Sequence, residues 1–268
     1  MIFLLLLIGL IAGILAGLLG IGGGILFTPA LFLLFHNAGI QHPVLWSIGS
    51  SLFCTFVSAL SSSIRQRQQR NFYWKEGLSV GLFGIIGTFI GKQVTTSPYY
   101  SEMEFTILFS LVLLFAAYMF LRRGSHSGKV KEKPTSQLKI KQRSVVGGIG
   151  GFLASLAGIG GGAAMVPLLN LVYHKPMEKA VSISSLAIVL ISLGGWGQLA
   201  WMEVSTVGIT HYSLGYVDFG AALPLVVGGF TGGFAGAWIN LKIKRRYLQW
   251  GFAALAIVVA IKLLSEVL

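Results

Sequence analysis

From Met1 to Ile64 the chain contains no Asp, Glu, Lys or Arg. A soluble fold covers its core with charged surface and cannot leave so long a run bare of it. The rest of the chain keeps the same character. Charged residues make up 10% of the 268 positions, and mean hydropathy is +0.79. These values exclude a cytosolic enzyme, a disordered chain and a disulfide-stapled secreted domain. They leave an all-α polytopic membrane protein, because apolar stretches long enough to cross a bilayer recur along the whole chain. The net charge of +12 would suggest nucleic acid in a soluble protein. Here the basic residues gather in short loops, so the expected partner is the lipid bilayer and not nucleic acid. Cys54 is the only cysteine, which excludes an intrachain disulfide and a multi-cysteine metal site. The opening Met1-Ile2-Phe3-Leu4 has no basic n-region, so the first apolar stretch is expected to be retained rather than cleaved.

Seven or eight apolar segments can be drawn, at roughly 2–35, 44–64, 74–96, 103–121, 144–173, 179–201, 216–241 and 247–266. Between the fourth and fifth, Arg122, Arg123, Lys129, Lys131, Lys133, Lys139, Lys141 and Arg143 oppose only Glu132. The chain therefore divides into a membrane repeat (1–121), a basic cytoplasmic linker (122–143) and a second membrane repeat (144–268). The halves echo one another. Gly9, Gly13, Gly20, Gly22, Gly23, Gly24, Pro29 and Leu31 recur at the same spacing as Gly147, Gly151, Gly158, Gly160, Gly161, Gly162, Pro167 and Leu169. Ser50-Ser51-Leu52 returns as Ser184-Ser185-Leu186, and Gly84, Gly87, Gly91 as Gly229, Gly232, Gly236. Three echoes in one order predict an internal duplication.

Loop charge predicts that the two halves are inverted. Arg65, Arg67 and Arg70 follow segment two, with Lys75 just beyond. In the second half the basic residues follow segment five (Lys175, Lys179) and segment seven (Lys242, Lys244, Arg245, Arg246), while 202–215 has no Lys or Arg. Parity is restored if segments one and five each enter and leave on one side. Segment one is long enough for this. As a single helix its 34 or so residues would span about 51 Å, far beyond a ~30 Å hydrocarbon core. Each first segment is therefore expected to be two short helices folded into a hairpin at GIGGG, and both termini are expected outside the cytoplasm.

A GIGGG run in a helix costs about 1 kcal/mol per glycine relative to alanine. It also frees backbone groups that survive at membrane depth only when buried in protein or lining a cavity. Past each break a helix is expected to restart, near Ile25 and near Ala163, with Pro29 and Pro167 in or near the first turn. Each restart offers unpaired N–H groups and a positive dipole end, which suits an anionic substrate at the bilayer midplane. One terminus is worth only about 0.3–2 kcal/mol to an anion, so the site is expected to be a small polar cavity with several N–H and O–H donors. Close helix packing explains Gly9, Gly13, Gly87, Gly91, Gly232 and Gly236 better. The candidate substrate-binding residues are Gly20, Gly22, Gly23, Gly24, Gly158, Gly160, Gly161 and Gly162, with Ser50, Ser51, Ser184 and Ser185.

Ser47, Ser50, Ser51, Cys54, Thr55 and Ser58 form one polar helix stripe, either a pathway lining or hydroxyl-mediated packing. Glu76, Glu102, Glu104, Glu203 and Asp218 sit near segment ends, which argues against acidic proton relays at depth. His36 and His42 read as interfacial, and Trp196, Gln198 and Asn170 carry no further signal. No catalytic triad, metal-ligand cluster or cofactor motif is present, so neither an enzyme nor a cofactor is expected.

GLLGIGGGILFTPAL and SLAGIGGGAAMVPLL, together with SIGSSLF, RQRQQRNFYW and the glycine ladder of segments three and seven, resemble the TauE/SafE sulfite exporter family over essentially the whole chain. The resemblance implies a permease of the prokaryotic cytoplasmic membrane for sulfur-containing oxyanions such as sulfite, organosulfonates or thiosulfate, exporting in many members. The matching positions are the two glycine runs, the prolines and the Ser-Ser pairs. The second copy departs at Ser155 (Gly17 in the first) and Val166 (Thr28 in the first). The expected function is alternating access around a midplane anion site. A passive anion channel, a transporter of another small anion and a non-transporting assembly protein stay open as rivals.

Overall fold

The computed structural model describes residues 2–68, 73–125, 137–204, 208–239 and 245–267. Arg70, Lys129, Lys131, Glu132, Lys133, Lys242 and Lys244, and with them the middle of the basic linker, lie outside the described residues. Ten α-helices are described: α1 (Ile2–Leu19), α2 (Gly24–Asn37), α3 (Pro43–Gln68), α4 (Trp74–Thr95), α5 (Glu102–Ser125), α6 (Ile140–Ala157), α7 (Gly162–Pro167), α8 (Met177–Ala200), α9 (Phe219–Ile239) and α10 (Arg245–Val267). A π-helical turn, Leu168–Val172, continues α7. A two-residue antiparallel pair, β1 (Ser213–Leu214) with β2 (Val217–Asp218), precedes α9. Six of the helices (α1, α3, α4, α5, α8, α9) are long and apolar enough to cross a membrane, so the chain is an all-α polytopic membrane protein.

Both GIGGG runs interrupt their helices, so segments one and five each become two helices. The pieces are unequal. α1 has 18 residues, about 27 Å at 1.5 Å per residue, and α2 has 14. The restarts fall at Gly24 and Gly162, one residue earlier than Ile25 and Ala163. Pro29 lies in the second turn of α2 rather than the first, and Pro167 lies where α7 passes into the π turn. At such sites the missing N–H leaves a carbonyl one turn back without its usual donor. α5 and α6 extend into both ends of the basic segment, where the Lys139 N–H donates to Gln142 Oε1 at 3.0 Å.

Glycine sets how the helices pair. The glycines of α1 lie on α9: a Cβ at Gly9 would stand 2.6 Å from Leu225 O, and those at Gly13 and Gly17 would collide with the backbone at Gly229 and Gly233. Gly87 and Gly91 of α4 meet the backbone at Gly148 and Phe152 of α6 in the same way, and Gly147 and Gly151 of α6 meet that at Val80 and Gly84 of α4. The packing role expected for Gly9, Gly13, Gly87, Gly91, Gly232 and Gly236 is thus what their positions serve: without Cβ, two backbones approach closely.

Residue numbers rise together along α1/α9, α4/α6, α3/α9 (Ser50 with Asp218, Ser61 with Phe230) and α4/α8 (Glu76 with Lys179, Thr88 with Gln198). They run in opposite senses along α3/α8 (Leu52 with Gly195, Gln66 with Ser185). α1, α3 and α9 therefore point one way, and α4, α6 and α8 the other. α2 runs back along α3, from Thr28 at Ser51 to Phe35 at Trp46, so the α1–α2 unit returns to the pole it started from.

Candidate functional site

The breaks meet each other in the core. A Cβ at Gly24 would lie 2.5 Å from Gly158 O and 2.6 Å from Ile159 Cα, and one at Gly162 would lie 2.5 Å from Ile21 Cα. Both chains turn through the left-handed region, at Gly20 (φ +65°) and Gly22 (+76°) and at Gly158 (+67°), Gly160 (+71°) and Gly161 (+80°). That backbone is strained for any residue with a Cβ.

The four serines do not act alike. Ser51 Oγ donates to Gly158 O at 3.0 Å, across to the second break. Ser184 Oγ donates to Gly20 O at 2.7 Å, across to the first. Each repeat thus ties down the other's break. Thr28 Oγ1 lies 2.7 Å from Ser51 Oγ. A hydroxyl has one proton and that of Ser51 is engaged, so Thr28 is the donor. Ser50 and Ser185 face elsewhere: Ser50 Oγ accepts the Asp218 N–H (3.0 Å) and Ser185 Oγ accepts Gln66 Nε2 (3.0 Å). The serine echo is therefore one residue out of register with the fold, where Ser51 and Ser184 hold equivalent places.

Two further carbonyls at the breaks are taken, because Gly23 O accepts from Leu26 and Phe27, and Gly161 O from Ala164 and Met165. The amides are left open. Among the described residues the N–H groups of Gly22, Gly23 and Gly24, and of Gly160, Gly161 and Gly162, have no protein acceptor. All of these glycines are buried. Among the described residues the carbonyls of Ile21, Gly22, Ile159 and Gly160 likewise have no protein donor, so the breaks leave both kinds of backbone group open. The sequence pattern does not single out Thr28, and it marks Thr55 only as one member of the polar stripe. Thr55 sits one turn past Ser51 on the polar stripe, and only its packing against both breaks sets it apart.

Most of the described basic residues gather at one pole: Arg65 and Arg67 end α3, and Lys75, Lys141, Arg143 and Lys179 lie at the starts of α4, α6 and α8, while Lys92 in the last turn of α4 lies at the other and donates to Gln198 O at 3.3 Å. Lys179 Nζ pairs with Glu76 Oε2 at 2.9 Å with both side chains almost fully buried, and Glu76 Oε1 accepts the Leu138 N–H at 2.6 Å. Burial, and then the Lys179 ammonium, push Lys175 below the usual lysine range, with Glu76 opposing. Glu102, Glu104, Glu203 and Asp218 lie toward the other pole. Asp218 caps α9 by accepting the Ala221 N–H at 2.9 Å, and also accepts the Thr210 N–H at 2.9 Å. His36 pairs with Glu102 at 2.9 Å in a half-exposed contact. Gln198 bonds Thr88, Asn170 bonds the Lys175 carbonyl, and Trp196 packs on Phe53.

Compared with known proteins, residues 5–263 match the family model described as Sulfite exporter TauE/SafE. The chain is 31% identical over 248 residues to a probable membrane transporter protein of Methanocaldococcus jannaschii, covering 92% of this chain and 89% of that one. It is 29% identical over 277 residues to the probable membrane transporter protein YunE of Bacillus subtilis (98% and 97%). It is 30% identical over 271 residues to a probable membrane transporter protein of Haemophilus influenzae (98% and 97%).

Proposed function

Since the chain belongs to the sulfite exporter TauE/SafE family and is a multi-pass membrane transporter, we propose that it moves a small sulfur-containing oxyanion, sulfite or an organosulfonate, across the cytoplasmic membrane by alternating access. One observation carries this reading: at the two breaks the carbonyls of Gly20 and Gly158 are covered by hydroxyls while the glycine amides stay open. Those open amides at the starts of the second helices favour an anion there. Each amide-rich terminus contributes about 0.3–2 kcal/mol, so several together bind an anion weakly enough to release it.

The repeats are read as inverted. α1–α2 and α6–α7 make their excursions from opposite poles, and the neighbours of each helix in one half match those of its counterpart in the other. The excess of lysine and arginine at one pole supports reading that pole as cytoplasmic, with the starts of α4, α6 and α8 inside and the start of α1 outside. Alternating access follows if the halves rock about the paired breaks.

Purified protein in liposomes tests the transport reading. Sulfite uptake that saturates and is stimulated by sulfite on the trans side is the expected result. Linear flux without saturation would favour a channel, and no anion flux at all would refute the reading. Cys54 is buried, so cysteines introduced at exposed Lys141 and Tyr99 can be labelled against a quiet background. Lys141→Cys should react from the cytoplasmic side and Tyr99→Cys from the other.

A further inference from the structure

Independently of the transported anion, we propose that the seam between α4 and α6 binds an anionic phospholipid, with an acyl chain in the seam and the phosphate held between Lys75 and Lys141. The two helices touch backbone to backbone, because a Cβ at Gly87 would lie 2.4 Å from Gly148 O. Beside that contact the larger side chains stand apart and leave a groove of about 450 Å³. Ile86 and Ile90 of α4 wall it on one side, and Ile149 and Phe152 of α6 on the other. Three of these four are exposed, so at membrane depth the groove faces lipid tails. Its lining is hydrocarbon except for Ser144 at the end nearest the basic pole, whose hydroxyl already donates to Lys141 O at 3.0 Å. From Ser144 to Leu153 it follows α6 for about 13 Å at 1.5 Å per residue. Packing does not demand glycine at 148: a Cβ there would meet no atom within 4 Å, and glycine is a poor helix former. Its effect is to keep the groove open.

The charge sits where a headgroup would. Lys75 and Lys141 are each the second residue of a helix, and α4 and α6 run parallel, so the two lysines stand at one level. Lys141 shares a face of α6 with Ser144, Gly148 and Phe152, which follow it by three, seven and eleven residues. Lys75 shares a face of α4 with Ile86, eleven residues on. Both lysines are exposed, and among the described residues neither has an acidic partner. Glu76, beside Lys75 in the chain, is buried and taken by Lys179 and the Leu138 N–H. Lys75 Nζ lies 5.5 Å from the centre of the Trp74 ring, and Trp74 is an exposed indole of the kind that marks a membrane interface. Arg143 is turned elsewhere, its Nε donating to Leu138 O at 2.8 Å. Two ammonium groups above a dry groove match a negative phosphate followed by a hydrocarbon tail. A zwitterionic headgroup brings its own cation to the pair and gains less. A soluble phosphate would use the lysines and leave the groove unfilled.

The test titrates the full chain in detergent with phosphatidylglycerol or with phosphatidylcholine of the same acyl chains, and counts bound lipid by native mass spectrometry. The wild type should bind phosphatidylglycerol about tenfold more tightly or better. Lys75→Gln combined with Lys141→Gln should bring the two lipids within about threefold of each other. Both lysines are exposed, so this arm reads binding and not folding. Gly148→Leu should weaken both lipids by filling the groove, whereas Gly251→Leu, at an equally open glycine of α10, should change neither. Neither leucine should lower the unliganded melting temperature. Equal wild-type affinity for the two lipids, or a preference that survives loss of both lysines, would overturn the headgroup site. Unchanged lipid binding in a stable Gly148→Leu protein would overturn the groove as the seat of the tail. A concentration-dependent dimer that Gly148→Leu abolishes would overturn the lipid in favour of a second copy of this chain.

Discussion

The two glycine breaks share five residues, GIGGG, and a common reversal of the chain, yet they are not equivalent. The first uses two left-handed glycines and enters α2 through Gly23 in a right-handed conformation; the second uses three, including Gly161. The first is followed by Thr28, which donates to Ser51; the second has Val166 there and Ser184 lacks that helper. Thr55 faces both breaks from the first half and Ile188 from the second. Shared backbone chemistry preserves the amide-rich ends, while the side chains beside them differ, with Thr28 and Thr55 in the first half against Val166 and Ile188 in the second.

The sharpest way to break this comparison is to add a methyl group to each break. Gly161→Ala forces a Cβ into left-handed backbone and against the Gly150 carbonyl, and should cost about 2–5 kcal/mol. Gly23→Ala meets only the ring of Phe27, a side chain that can turn, and should cost about 1–2 kcal/mol. Melting temperatures in detergent would rank them, and equal losses would contradict the asymmetry. Next come the cross-ties. Ser51→Ala strips the Gly158 carbonyl of its donor and Thr28 of its acceptor, for about 1–2 kcal/mol. Ser184→Ala exposes only the Gly20 carbonyl, at about half that loss. A larger effect from Ser184 would mean that Thr28 contributes nothing. The smallest expected effect is a gain: Val166→Thr should supply the second half with its missing helper and stabilise by about 0.5 kcal/mol, seen as a rise of a degree or two in melting temperature. A fall would mean that the space beside Ser184 cannot take a hydroxyl.

Much of this was legible without coordinates. The charge-free opening run required a membrane, and the duplicated glycines required a helix that stops and starts again. The i,i+4 glycines required close helix pairing. Other features were hidden. Ser50 and Ser51 look alike in the sequence, as do Ser184 and Ser185, and a similarity of letters aligned them one residue away from their spatial match. Glu76 and Lys179 lie near segment ends, as expected, but nothing local announces that they bury against each other from different halves. Thr55 was one of five hydroxyls on a stripe of six residues.

The sequence by itself determined the solvent, the helices and the places where they break, because hydropathy and glycine's backbone freedom act over a few residues at a time. Only the tertiary structure decided which hydroxyl each break carbonyl captured, which amides remained open and which side chains face them. Those outcomes depend on contacts between residues more than a hundred positions apart, such as Ser51 with Gly158 and Ser184 with Gly20, and a hydrogen bond is decided by geometry that no local pattern encodes.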